Sequence, residues 1–342
     1  MERERLRERE PEAALNIYDR IVARQQAILE AQKTWEQIVR GRERRWEATP
    51  WGRVKWLTGP RLHTAMRTMS HYITQLPPGG RSKRTRFLWE AQGYVLAGRG
   101  YSVIDGVRYD WEAEDVLCLV PGAVHQHVNA DPEAPAEVIW GSMQPVAELM
   151  GLGGVEELPD DDPAPAPLAV PAAPGPRGST QYDAMQQAAA AEATRRRADK
   201  VLVPGRMQAW QMCRQGRIKY YSGDPALGTA TRLIRMFVQD LPAGARSGKH
   251  RHFNEAALYC LEGRGYSIVD NVRYDWETGD LNIVHINSTH QHFNADGERG
   301  ARLLAIHSGS IGGIFDFLGQ LEVEQQEAAS LWLAQQGGEA RG

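Results

Sequence analysis

Residues 98–112, GRGYSVIDGVRYDWE, return almost unchanged at 263–277 as GRGYSIVDNVRYDWE. HQHVNAD at 125–131 returns as HQHFNAD at 290–296, and LPPGGRS at 76–82 as LPAGARS at 241–247, all at one offset of 165. From 76–129 against 241–294 the register needs no gap, and 27 of 54 positions are identical. Upstream, GRVKWLTG at 52–59 and GRIKYYSG at 216–223 continue the echo one residue out of phase. A repeat of this length is a duplicated folding unit, so the chain must fold as two copies of one architecture. A length of 342 residues suits two domains at roughly 100 to 200 residues each.

Each copy opens with a helical pattern. Residues 12–40 carry Ala, Leu, Ile and Val at three- and four-residue spacings with no Gly or Pro inside, and 183–200 are rich in Ala and Arg. Short apolar, often alternating runs follow, among them 101–104, 116–120, 232–238, 256–261, 266–269 and 302–306. Gly, Pro and Asp separate them, which is the pattern of a β sandwich or barrel. Between the copies, DDDPAPAPLAVPAAPGPRGS at 160–179 has the composition of an extended linker. Residues 313–336 read as a C-terminal helix. The expected division is a helical segment at 1–50, β domains at 51–150 and 206–312, a linker with a helix at 151–205, and a C-terminal helix and tail at 313–342.

Composition narrows the class. Forty basic against 43 acidic residues give a net charge of −3, without the concentrated basic face of a nucleic-acid binder. No apolar run is long enough to span a membrane. The opening MERERLRERE is too charged for a secretory signal, and three cysteines make no disulfide framework, so a cytoplasmic protein is expected. An amphipathic helix appended to a β domain suggests packing on the barrel or on a second subunit, and with it a homo-oligomer, a dimer or tetramer.

Six of the ten histidines fall between 250 and 307. His250 and His252 stand two apart, as do His290 and His292, with Asn294 two further on. Side chains two apart in a strand share a face and can share a ligand. A barrel can bring two such strands together, and imidazole is the commonest ligand of first-row divalent metals. The first copy lacks this set: Thr85 and Phe87 replace the first pair, although His125, His127 and Asn129 persist. One metal per chain, in the second copy, is the expectation.

On these residues the second copy resembles the cupin superfamily. Gly244, His250, His252 and Gly263 stand where the first cupin motif has its Gly, His-x-His and Gly, and Gly279, His290 and Asn294 where the second has Gly, His and Asn. His285 and Asn287 depart from the usual Pro and Gly of that motif. The resemblance implies a mainly β chain of two tandem cupin domains, each a double-stranded β-helix or jelly roll, with added helices at the N-terminus, in the linker and at the C-terminus. The glutamate that cupins usually add lies four or five residues after the second His. Glu255 is only three after it and by parity faces away, so it joins a metal only if a bulge turns the strand.

A three-histidine site without carboxylate is similar to that of the gentisate, 1-hydroxy-2-naphthoate and salicylate dioxygenases, which also carry an HRH, an EG-x-G and a VD turn. Here these read HRH at 250–252, EGRG at 262–265 and IVD at 268–270. The resemblance implies Fe(II) held by His250, His252 and His290, and ring cleavage of a gentisate- or salicylate-like substrate by O2. It departs from the gentisate group, whose iron sits in the amino-terminal cupin. His292 is a candidate proton acceptor from a substrate hydroxyl, or only a hydrogen-bond support. Asn294, Arg235 and Arg246, with Arg232 and Arg251 nearby, are candidates to bind substrate. An oxygen-independent isomerase or lyase using Mn, Ni or Zn, and a non-catalytic small-molecule binder, are the alternatives.

Overall fold

The computed structural model describes residues 16–160, 180–213, 215–223, 225–309 and 320–324. Residues up to Glu36 cluster as one unit, which holds helix α1, Ile17–Thr34. Those from Gln37 cluster as a second unit, which holds both copies of the repeat. Helices α2, Gln144–Leu149, and α3, Gln181–Ala198, are the other α-helices of the described residues.

Each copy folds as a pair of antiparallel sheets with matching strand orders. In the second copy a seven-stranded sheet runs Ile38–Val39, Leu281–Val284, Ala256–Glu262, Ala301–His307, Arg235–Leu241, Gly216–Tyr220, Trp210–Cys213. Its five-stranded sheet runs Val272–Glu277, Arg264–Val269, Thr289–Asn294, Lys249–His252, Gln320–Glu324. The first copy repeats both orders, with Leu202–Val203 and Val155–Leu158 at the corresponding edges. These are the two jelly rolls that the cupin resemblance implied. The hairpin turns agree in detail: Asp105 and Gly106 in one copy, Asp270 and Asn271 in the other, all have positive φ, as a two-residue turn between twisted strands requires.

The copies are not separate beads. Ile38–Val39 pairs with Leu281 and Asn282 of the second copy, while Leu202–Val203 pairs with Val116 and Leu117 of the first. The segment before each barrel therefore completes the sheet of the other barrel. The approach is close enough to demand glycine. A Cβ on Gly41 would lie 2.1 Å from the Gly279 carbonyl oxygen, and one on Gly205 would lie 2.3 Å from that of Glu114. Ion pairs Arg40–Asp280 and Arg206–Glu112 sit beside the two crossings. The regions 1–50 and 151–205, read from sequence as outside the barrels, each contribute two edge strands: Ile38–Val39 and Trp46–Thr49, and Val155–Leu158 and Leu202–Val203.

Central strands such as Ala256–Glu262 and Ala301–His307 are buried over nearly their whole length, because the other copy covers their second face. A Cβ on Gly141 would come within 2.4 Å of Ile306 Cγ2 across that junction. The helix expected over 313–336 is corrected at 320–324, which form a strand on Lys249–His252. The rest of that segment, and the linker at 161–179, lie outside the described residues. No helix among the described residues is long and apolar enough to cross a membrane.

Candidate metal centre

The strand Lys249–His252 lies antiparallel to Thr289–Asn294 with His250 opposite His290. Alternation then sets His250, His252, His290 and His292 on one face, and all four are buried. Ligand nitrogens of His250, His252 and His290 all lie within 4.8 Å of one another. The ring centroids are 4.1 Å apart for His250 and His290, and 4.8 Å for His252 and His290.

Hydrogen bonds select the tautomers. The Nδ1 of His250 donates to Gly248 O at 3.1 Å, that of His290 to Ser288 O at 2.9 Å, and that of His252 to Asn254 O at 2.8 Å. A carbonyl can only accept, so Nδ1 bears the proton and the lone pair of each ring lies on Nε2, the nitrogen that can bind a cation. His252 Nε2 is buried with no hydrogen-bond partner, an arrangement costly without a ligand. Burial holds His252 at about 3 and His290 well below its ordinary range, with neighbouring histidines adding to both, so both are neutral at pH 7. Three neutral imidazoles with converging lone pairs fit a first-row divalent ion.

Glu255 is no part of this cage. It is fully buried, and its carboxylate accepts from the backbone N–H groups of Arg67 and Thr68 and from the Thr68 hydroxyl, all in the first copy. In the first copy itself the equivalent cavity is closed. His125 Nδ1 donates to Ala123 O, and the Thr85 hydroxyl lies 3.1 Å from His125 Nε2, so that nitrogen is already satisfied. Phe87 stacks on Trp89 and meets His125 edge-on at 4.7 Å. A cavity of about 10 Å³ remains, lined in part by Trp51, Tyr72 and Trp140. That is room for about one water.

His292 sits beside the cage with its Nδ1 2.8 Å from Ser267 Oγ. Ser267 Oγ already accepts from Trp276 Nε1 at 3.0 Å and from Asn282 Nδ2 at 2.5 Å. Its one remaining proton goes to His292 Nδ1, which leaves the proton of the neutral ring on Nε2. Burial, with the charges of His250 and His252, lowers His292 to about 3. Asn282 has no counterpart in the first copy, where Leu117 stands in its place beside the matching Ser102–His127–Trp111 set. The shared RYDWE motif thus places a buried Trp on a structural serine in both copies.

The other sequence candidates separate. Asn294 is committed to the backbone: its Nδ2 donates to Leu241 O at 3.1 Å, Pro242 O at 2.9 Å and Arg299 O at 2.8 Å, and its Oδ1 accepts from Asp296 N at 2.9 Å. Arg246 bridges Phe293, whose ring stacks on Tyr266 on the face opposite the histidines, so Arg246 is also removed from the cavity. Arg232 is held by Asp199. Arg235 is exposed at the start of its strand, on the face that carries Phe237. It lies opposite His307 in the sheet, it lowers the pKa of both His252 and His307, and it makes no hydrogen bond or ion pair among the described residues. A Cβ on Gly223 would come within 2.4 Å of Arg235 Cγ and one on Gly309 within 2.8 Å of its Cβ, so two glycines form its slot.

Three residues that the sequence did not single out complete the surroundings. His307, buried, has its ring 5.2 Å from His252 and 5.1 Å from Phe237. Gln215 Nε2 lies 3.5 Å from His250 Nε2, and Gln239 holds the Gln215 carbonyl at 2.6 Å. The i, i+2 signal reaches none of them, because they come from strands or turns far from the motif.

Comparison with known proteins agrees with the fold. The family model described as "Cupin domain" matches twice, at residues 72–141 and 237–307. No curated protein matches the sequence. Among solved structures, salicylate 1,2-dioxygenase from Pseudaminobacter salicylatoxidans is similar at 18% identity with a TM-score of 0.56, over 78% of this chain and 79% of that one. Its adduct with gentisate is similar at 17% and 0.58, over 87% and 83%. AerE from Microcystis aeruginosa is similar at 12% and 0.51, over 77% and 96%. At these identities the likeness is one of fold. The chain is a bicupin, each copy of its repeat a cupin domain, with the fold seen in the salicylate 1,2-dioxygenases.

Proposed function

We propose that the second cupin is the catalytic half of a non-haem Fe(II) dioxygenase that cleaves a hydroxylated aromatic acid, gentisate- or salicylate-like, with O2. The observation that supports this most is a cage of three histidines that Glu255, the acidic residue next after His252 in sequence, does not join because it is committed to the first copy. With three neutral ligands on one side, Fe(II) would keep open positions for a chelating substrate and for O2, and would carry the redox chemistry between them. His250, His252 and His290 would hold it.

The chain's own residues account for binding and orientation. Arg235, unpaired and beside His307, suits the carboxylate of an aromatic acid. Phe237, against His307 and Tyr220, offers an apolar wall for the ring. His292, with its proton on Nε2, is a hydrogen-bond donor to a substrate oxygen in its resting state rather than a proton acceptor. Replacing His292 with Phe should leave the metal content unchanged and lower turnover by about 100-fold, the lower range for a positioned proton-handling group. Unchanged turnover would reduce His292 to the packing role that His127 has in the first copy.

The test of the reading is metal analysis of protein purified without air, followed by O2 uptake with hydroxylated aromatic acids. About one iron per chain and substrate-dependent O2 consumption support it. Manganese, nickel or zinc, with no O2 uptake, would favour Lewis-acid chemistry at the same histidines. A homo-oligomer of two or four chains is the accompanying proposal, checked by light scattering.

A further inference from the structure

We propose that Glu255 is a positioning residue through which the metal-free cupin holds the ligand His252 of the other cupin; this rests on the metal reading above. Two of the three caging histidines are supported from within their own strands' approach. His250 and His290 each bond the carbonyl two residues before them, Gly248 and Ser288. His252 alone is held by a carbonyl that follows it, Asn254 O at 2.8 Å. Its ring orientation therefore depends on the turn 253–255.

That turn is pinned at its far end by the first copy. The Glu255 carboxylate accepts from Arg67 N at 3.0 Å, Thr68 N at 2.6 Å and Thr68 Oγ1 at 2.6 Å, with a sequence separation of 187 or more. The Glu255 backbone N–H donates to Ser308 Oγ at 3.2 Å, and Ser308 N returns a bond to Glu255 O at 3.1 Å. Asn254 also reaches His307 Nδ1 at 3.2 Å, and Asn287 N donates to His252 O at 2.8 Å. A buried carboxylate satisfied by three donors is a stiff anchor, since leaving any of them unpaired is costly. Displacing it frees the turn that carries the His252 support.

The duplication supplies its own control. Glu90, the equivalent residue, is also buried and accepts from the backbone N–H groups of Arg232 at 2.8 Å, Leu233 at 2.6 Å and Ile234 at 3.0 Å. It follows Phe87, which ligates nothing. The two glutamates therefore dock the two copies reciprocally, and only Glu255 stands next to a caging histidine. Loss of docking is common to both variants, whereas loss of ligand placement is specific to one.

The experiment uses the full chain, stripped of metal and titrated with Co(II), which reports its ligand geometry through visible absorption. Glu255→Gln should weaken Co(II) binding about tenfold, the lower range for groups supporting metal ligands, and alter the Co(II) spectrum. Glu90→Gln should lower Tm by a similar amount yet keep wild-type affinity and spectrum. Thr68→Val removes one donor to Glu255 from the far side, and it should shift affinity and spectrum in the same direction; it carries the test if Glu255→Gln does not fold. Wild-type Co(II) binding in both Glu255→Gln and Thr68→Val overturns the inference alone. A wild-type protein that takes up no Co(II) overturns the metal reading and the inference with it.

Discussion

Replacing His290 with Ala should take bound metal from about one ion per chain to nearly none while the protein stays folded. His290 is the central imidazole of the three, with its ring 4.1 Å from that of His250 and 4.8 Å from that of His252. Two imidazoles do not complete a structural or catalytic shell for a first-row ion, which needs three protein ligands even where a position is left open. Fold is expected to survive because His290 is already a neutral buried ring, packed on its strand rather than holding elements together. The matched control is His125→Ala in the first cupin, whose Nε2 is already met by the Thr85 hydroxyl; it should leave metal content unchanged. Metal analysis after anaerobic purification reads both. Near-wild-type metal in His290→Ala would remove the histidine cage from consideration.

Asn294→Ala should instead unfold the protein more easily, by about 3 kcal/mol, and its effect on substrate should follow only from that loss. Its amide closes four hydrogen bonds that knot the loop from Leu241 to Arg299, and three carbonyls and one N–H would lose their partner. Each such loss costs about 0.5–1.5 kcal/mol, more where the group stays buried. The first cupin has the same knot around Asn129, which donates to Leu76, Pro77 and Ala134 carbonyls and accepts from Asp131 N. Asn129→Ala should therefore cost a similar amount, in a domain with no metal cage. Urea unfolding of the two variants checks this. A stable Asn294→Ala protein with a raised KM would return Asn294 to the substrate.

Much of the site was legible because it is local. A period of two along a strand puts His250 with His252 and His290 with His292 whatever the rest of the chain does. The loss of the cage in the first copy was readable from Thr85 and Phe87 alone, and so was the outward turn of Glu255 by parity. What Glu255 turns toward was not legible, since Arg67 and Thr68 are far away in sequence. The same limit applies to the exchanged strands: Ile38–Val39 and Leu202–Val203 are two residues each, too short to carry a period. Residues 320–324 read as helix because their strand exists only by pairing with Lys249–His252.

Among the arginines, alternation says which side chains share a face but not which face encloses the cavity. Only pairing resolved that, setting Arg246 with Phe293 on the outer side and Arg235 beside His307. The sequence by itself determined the duplication, which is read directly at its offset of 165, and the histidine spacing, which is a matter of neighbours two residues apart; the jelly rolls followed from the cupin resemblance. The tertiary structure decided which strands cross between the copies, what Glu255 and Glu90 turn toward, and that Arg235 lies beside His307, because each depends on groups far apart in sequence.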